Sequence, residues 1–522
     1  MRPRWTTNPI RNGGRNSCPA SRAGRRRADD GAASFAALLP PQNGASTRGG
    51  RNGRERGAGM SAGVATLSRR ARGVLALVSA LVFSIALAGQ AAAQSLIRDA
   101  EIEDTLRVYT APLLTAAGLR PEDVDIYIIN DDSINAFVAG GQNIYVHTGL
   151  ILAADTPNEV IGVLAHETGH IAGGHLVRSR EAINRSLGTA LISIGLGVLA
   201  LASGAPDAGA ALIGGSQAFA MGTFVRHTQV QESAADQAAL NYLESSGQSG
   251  RGLLDFFNEN LRPYEFMMRR APPYMLTHPY SSDRVESLRE RIQNSEHLNA
   301  ADSEDYMRRF RMMQAKLIGF IRTQGQTMAR YPASDTSAPA RYARAIAYYR
   351  VNRLPEAQRE LNSLIAEEPD NPYYQELMGQ VLFDSGLAAD SIPYHRRSLE
   401  LEPDEPLFQI NLARALNAAN GRRGADEAVP ILQAALAREP NNAFAWRELA
   451  QARNLQGEEP LAELASAEQN FAIGNYPAAL SFAERARRGL PRNTPSYQRA
   501  SDLVNFAGEQ VREMQREGQR RS

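Results

Sequence analysis

Residues 166–170 read His-Glu-Thr-Gly-His, two imidazoles four residues apart with a carboxylate beside the first. On a helix this spacing projects His166 and His170 from one face, so both rings can reach one cation. A hydrolytic zinc site needs protein ligands that leave one position open to water. Glu167 is placed to take a proton from a water that such a cation polarises. The motif is short. Its surroundings add Val160, Ile161, Val163, Leu164 and Ile171, an apolar set that would bury the helix against a sheet.

The third ligand is not in the motif itself. A run ending in Gly-x-x-His would put a histidine at 176, but that residue is Leu176, and His175 is one position off. On continued helical spacing His175 falls about half a turn from the line of His166 and His170, which predicts a packed or polar helix-end residue. Downstream, Glu232-Ser233-Ala234-Ala235-Asp236 offers Glu232 as a third ligand. Asp236, one turn later on the same face, could accept a proton from a ligand histidine and fix its tautomer.

Several elements must position these groups. An amphipathic helix is predicted over 97–118, closed by Gly118 and Pro121. Residues 124–129 alternate as a strand, and Asn135–Val138 and Asn143–Val146 flank Gly140-Gly141 as a hairpin. A helix over about 157–177 carries the motif, with Pro157 in its first turn. Further helices are expected near 228–245, 251–269 and from 281, after a Pro-rich loop at 271–279.

Composition bounds the rest. Residues 1–59 hold 12 Arg against 3 acidic residues, and 60–93 add 3 Arg and no acid, which leaves 42 basic and 53 acidic residues for 94–522. An acidic body argues against a nucleic-acid partner. The single cysteine, Cys18, cannot form a disulfide within one chain. Residues 1–59, rich in Arg, Gly, Ser and Pro, are expected to be disordered and upstream of the true start at Met60. Arg69, Arg70 and Arg72, the apolar run 74–88 and Ala91-Ala92-Ala93 then read as a cleaved signal peptide over 60–93, which implies export to a periplasm.

From about 338 the pattern repeats. Pro369-Asp370 and Pro403-Asp404 lie 34 residues apart, and Pro440-Asn441 follows after a Gly421-Arg422-Arg423-Gly424 insertion. This resembles tetratricopeptide repeats, roughly four over 340–495, with 501–522 as a C-terminal tail. The expected organisation is a peptidase domain over 94–335 and an all-α repeat solenoid over 338–500.

Asn135-Ala136-Phe137 and Thr148-Gly149-Leu150 precede the His-Glu motif. Glu232 to Asp236, then Thr277-His278-Pro279 and Arg284, follow it. In combination these resemble the gluzincin peptidases that include HtpX and the CAAX prenyl proteases. The nearest members are periplasmic and carry a signal peptide and C-terminal tetratricopeptide repeats. The resemblance implies an α+β zincin-like fold, mainly helical with a small sheet. It implies one zinc ion on His166, His170 and Glu232, with Glu167 as base and His278 and Arg284 near the metal. His278 is either a regulatory fourth ligand that keeps the enzyme latent or a catalytic helper. The resemblance also implies that Asn143, Ile144, Tyr145 and Val146 form an edge strand binding extended substrate by strand addition. His147, beside them, is left unassigned.

The activity so implied is that of a zinc endopeptidase acting in quality control and assembly of outer-membrane proteins. Unfolded or stalled proteins would be its substrates, and β-barrel assembly machinery a partner through the repeats. Residues 187–224, rich in Ala, Gly, Leu and Ile, read either as a lid over the site or as a membrane contact. Two rivals stand: a chaperone-like repeat scaffold with a latent or vestigial protease, and a membrane-associated protease.

Overall fold

The computed structural model describes residues 96–178, 181, 228–264, 274–275 and 278–521. The Arg-rich segment 1–59, the segment 60–93 expected to be a signal peptide and the stretch 187–224 lie outside the described residues, as does Thr277. No helix among the described residues is long and apolar enough to cross a membrane.

The chain begins with strand β1 (Leu96–Ile97) and helix α1 (Ala100–Ala116). The expected helix start at 97 is thus two residues of strand. Asp99 then caps the helix, its side chain accepting from the Ile102 amide. Ile102, Leu106, Tyr109 and Leu113 recur at three- and four-residue intervals and are fully buried. Strands β2 (Ile126–Ile129), β3 (Ala136–Ala139) and β4 (Asn143–His147) complete a four-stranded sheet in the order β1-β2-β4-β3. β2 and β4 are parallel, with Ile128 against Val146, and the hairpin β3–β4 is antiparallel, with Phe137 against Tyr145. The inner face sends Ile128, Ile144 and Val146 into the core. The outer face carries a ladder of stacked rings, Tyr127 on Tyr145 on Phe137, with centroids 5.1 and 5.2 Å apart.

This order corrects one expectation. Asn143, Ile144, Tyr145 and Val146 do not form an edge, because β4 is bonded to β2 on one side and β3 on the other. The edge of that side is β3. The amide of His147 donates to the Asn135 carbonyl, which fixes the alternation of the antiparallel ladder. The backbone groups of Ala136 and Val138 therefore face away from β4, and no strand among the described residues pairs with them.

Helix α2 (Thr148–Ala153) leads to α3 (Pro157–Ala172), which opens with a capping box between Thr156 and Glu159. α3 lies on the inner face of the sheet, with Val160, Ile161, Val163 and Leu164 fully buried. Helix α4 (228–245) follows, then α5 (Arg251–Phe256), which runs into a wider turn over Phe257–Leu261. Helices α6 (Ser282–Gln293), α7 (Glu304–Ile321) and α8 (Gln324–Arg330) close the domain.

Five helix pairs then stack: α9 (Ala338–Arg350) and α10 (Leu354–Glu367); α11 (Pro372–Asp384) and α12 (Ala388–Leu401); α13 (Pro406–Arg438), which Gly421 (φ +54°) breaks into two; α14 (Ala443–Gln456) and α15 (Glu459–Ala472); and α16 (Tyr476–Gly489) and α17 (Pro495–Arg521). The recurring prolines have a recurring role. The carbonyls of Pro369, Pro403 and Pro440 each accept from the side chain six residues on, Gln375, Gln409 and Trp446, at 2.8–3.0 Å. Residues 501–521 continue α17, where Leu503 and Ala507 are buried, so they extend the last pair rather than forming a separate tail.

The solenoid grips the N-terminal end of α1. Tyr342 donates to Glu101 at 2.7 Å and Tyr373 to Asp104 at 3.1 Å, and Arg98 donates twice to Glu439. Lys316, the only lysine in the chain, is buried between Asp99 and Glu101 at 2.8 and 3.1 Å.

Candidate metal centre

Gly169, inside the His-Glu motif, decides how close α4 can come to α3. A methyl group there would lie 2.8 Å from the Ala235 carbonyl oxygen, so only glycine permits this approach. It brings Glu232 and Asp236 onto the histidine face. Four donor atoms converge: His166 Nε2 lies 3.0 Å from His170 Nε2 and 3.3 Å from His278 Nδ1. Glu232 Oε2 lies 3.1 Å from His278 Nδ1 and 3.3 Å from His166 Nε2, and Oε1 is 3.4 Å from His170 Nε2. All four residues offer an atom within 4.8 Å of the others.

The donors fit a zinc ion. Ligand bonds of about 2.0–2.1 Å in a tetrahedron separate neighbouring donors by roughly 3.3–3.4 Å, close to the 3.0–3.4 Å of the contacts above. Glu167 is fully buried beside them, and neither of its oxygens has a hydrogen-bond partner among the described residues. Burial pushes its carboxyl above the usual range, against the pull of His278 and His166. Burial would raise Glu232 too, but the His166 and His278 contacts outweigh it and hold that carboxyl well down. Burial and the neighbouring His166 keep His170 far below the ordinary imidazole range. A neutral His170 and an ionised Glu232 are the forms that can bind a cation.

Further side chains pack around these four. Asp236 Oδ1 is 2.9 Å from His166 Nδ1, and Arg284 donates to both oxygens of Asp236. Arg284 also approaches Glu232 Oε2 at 3.2 Å. His278 is held by its amide, which donates to the Tyr274 carbonyl at 2.7 Å, and by the Tyr274 ring stacked on it at 4.6 Å. Its Nε2 is 3.4 Å from Glu167 Oε1.

The structure thus gathers His166, Glu167, His170, Glu232, Asp236, His278 and Arg284 into one cluster. His147 is elsewhere, buried in β4 with its Nδ1 2.9 Å from Ser133 Oγ. His175, expected to face away, instead points its Nδ1 at His170 Nδ1, 3.0 Å off.

Residues 64–292 match peptidase family M48, and residues 326–381 match a tetratricopeptide repeat. The chain is 28% identical over 338 residues to the beta-barrel assembly-enhancing protease of Yersinia pestis, covering 63% of this chain and 68% of that protein. It is also 28% identical over 369 residues to the protein of the same name from Escherichia coli strain K12, with coverages of 69% and 73%. Metalloprotease LoiP of the same strain is 27% identical over 179 residues, 33% of this chain and 64% of that protein. The chain is a metalloprotease in which the region similar to peptidase family M48 is followed by tetratricopeptide repeats, and that region holds the cluster of His166, His170, Glu232 and His278.

Proposed function

We propose that this M48 protease is a zinc endopeptidase of the periplasm, held latent by His278, and that it acts in the assembly and quality control of outer-membrane β-barrel proteins. The observation that carries the catalytic part is the convergence of four side-chain donors within 4.8 Å of one another beside the buried carboxylate of Glu167. The names of the relatives, beta-barrel assembly-enhancing proteases, support the biological part.

His166, His170 and Glu232 would hold the ion, with His278 as a fourth ligand. Bound zinc supplies Lewis acidity, which brings a water proton within reach of a carboxylate near neutral pH. The remaining work belongs to the chain. Glu167 accepts that proton and delivers it to the leaving amine, the general acid–base role its buried carboxylate suits. Asp236 accepts a hydrogen bond from His166 Nδ1–H, which keeps that hydrogen on Nδ1 and leaves the Nε2 lone pair free to bind. Arg284 balances the charge of Asp236 and Glu232. The outward backbone groups of Ala136 and Val138 pair with an extended substrate along β3. His278 must withdraw before water and substrate can enter.

The repeats bind partners through surface other than that already engaged with α1. If a scaffold were the main function, Glu167→Gln would leave the cellular phenotype intact while changes on the repeat surface abolished it. The direct test is the metal content of the purified protein. Wild type is expected to carry about one zinc per chain and Glu232→Gln to bind it far less tightly. Equal zinc in both removes Glu232 from the ligand set.

A further inference from the structure

α3 ends at Ala172, and Gly173 and Gly174 (φ +61°) turn the chain, which brings His175 back over the helix end. Its ring meets His170 edge to face, centroids 4.9 Å apart and Nδ1 to Nδ1 3.0 Å. The ring is enclosed, 6% exposed. A Cβ on Gly173 would lie 2.4 Å from His175 Nε2, so that glycine makes the room the imidazole occupies. Gln231, next to Glu232 on α4, donates to the His175 carbonyl at 3.4 Å.

Two Nδ1 atoms this close share one hydrogen between them. His170 can present its Nε2 lone pair to the cluster only if its own hydrogen sits on Nδ1. His175 Nδ1 must then be the acceptor. His166 has the matching arrangement with Asp236 at 2.9 Å. The two ligand imidazoles are thus oriented by different groups, one by a carboxylate and the other by an imidazole. We propose that His175 is a positioning residue that sets the tautomer and ring angle of His170, and through them the affinity of the site for zinc. This rests on reading His166, His170 and Glu232 as the ligand set.

The test is zinc affinity of the full chain, measured by competition with a chromophoric chelator, with the thermal midpoint of the metal-free protein recorded beside it. In His175→Asn the amide oxygen falls near the place of Nδ1, and in His175→Gln near that of Nε2. His175→Asn is expected to bind zinc within about threefold of wild type, and His175→Gln and His175→Leu about 10–100-fold more weakly, the usual cost of losing a ligand's orienting partner. If the Leu variant fails to fold, the Asn and Gln pair decides alone. Equal affinity in those two, or a Leu variant that binds like wild type, overturns the inference. A wild-type chain that takes up no zinc overturns the ligand set itself, a different result.

Discussion

Arg284 grips Asp236 with two parallel hydrogen bonds, Nε to Oδ2 at 2.7 Å and Nη2 to Oδ1 at 2.8 Å. Both side chains are buried, and Oδ1 is the atom that also faces His166 Nδ1. One guanidinium thereby fixes a carboxylate on α4, approaches Glu232 one turn away, and donates to the Pro279 carbonyl in the loop that carries His278. Such bidentate pairs add geometric specificity as well as energy.

Breaking that pair strands a buried charge. Arg284→Leu is expected to destabilise the domain by about 3–5 kcal/mol, the cost of removing one partner from a buried ion pair. Urea unfolding of the metal-free protein measures it. A loss within the range of surface substitutions would mean that the pair is solvated in solution.

Glu167→Gln should separate binding from chemistry. The carboxylate has no hydrogen-bond partner among the described residues and burial disfavours its charge, so a neutral amide of the same shape costs the fold little. Zinc content and thermal midpoint are expected to stay near wild type. Peptide cleavage should fall at least about 100-fold, the lower end of what a general base contributes. Substantial remaining turnover would assign the proton transfer to another group.

The β3 edge gives a test of substrate binding. Val138 turns its N–H away from β4, so proline there removes no ladder bond, the one circumstance in which an edge strand accepts it. Val138→Pro is expected to keep the fold and zinc content while raising KM for unfolded substrates severalfold or more. Phe137→Pro, which removes an N–H that faces β4, should instead lower the melting temperature. An unchanged KM in Val138→Pro would exclude strand addition at this edge.

Acid should loosen the repeats from α1. Burial alone would raise the Glu439 carboxyl, but the hydrogen bonds and charge of Arg98 outweigh it and lower its pKa. A depressed carboxylate contributes stability that is fully present above its unfolded pKa, about 4.3, and is lost as pH falls through the folded value. Glu103, on the same guanidinium, is raised by burial and acts in the opposite sense. Comparing wild type with Glu439→Gln isolates the one group. Their difference in melting temperature is expected to be largest above about pH 5 and to shrink towards pH 3. A difference that is flat with pH refutes the linkage.

Much of this was legible from residue types and spacing. His166 and His170 stand four apart on a helix, and the apolar positions of α3 gave that helix its buried face. Glu232 and Asp236 could be placed because both lie on one face of a single helix. The hairpin was legible from Gly140-Gly141, but its place in the sheet was not. Spacing along the chain does not reveal that β4 pairs in parallel with β2 and leaves β3 outside. His175 was misplaced for a related reason. The helical angle that turned it away holds only while the helix continues, and Gly173-Gly174 end it. The Gly-Gly pair after the motif was the available signal, since glycine with positive φ is a common way to stop a helix. The start of the last helix pair was legible in Gly474-Asn475-Tyr476-Pro477, but the count of roughly four repeats ending near 495 fell short, because the residues beyond 495 lack the proline spacing that marked the others.

If His278 keeps the enzyme closed, removing its ring should open the site. Its Nδ1 is 3.1 Å from Glu232 and 3.3 Å from His166, and its Nε2 is 3.4 Å from Glu167. The ring therefore stands between the three ligands and the base, where water would have to enter. His278→Ala removes one donor of four and leaves His166, His170 and Glu232, a set that suffices for catalytic zinc sites. Zinc should be retained, with somewhat weaker affinity, and cleavage of an unfolded substrate should rise severalfold at matched zinc content. If cleavage falls while zinc stays bound, the ring is a helper in the reaction. Glu167→Gln in the same background should abolish any gain, since an open corner without a base has nothing to take the proton.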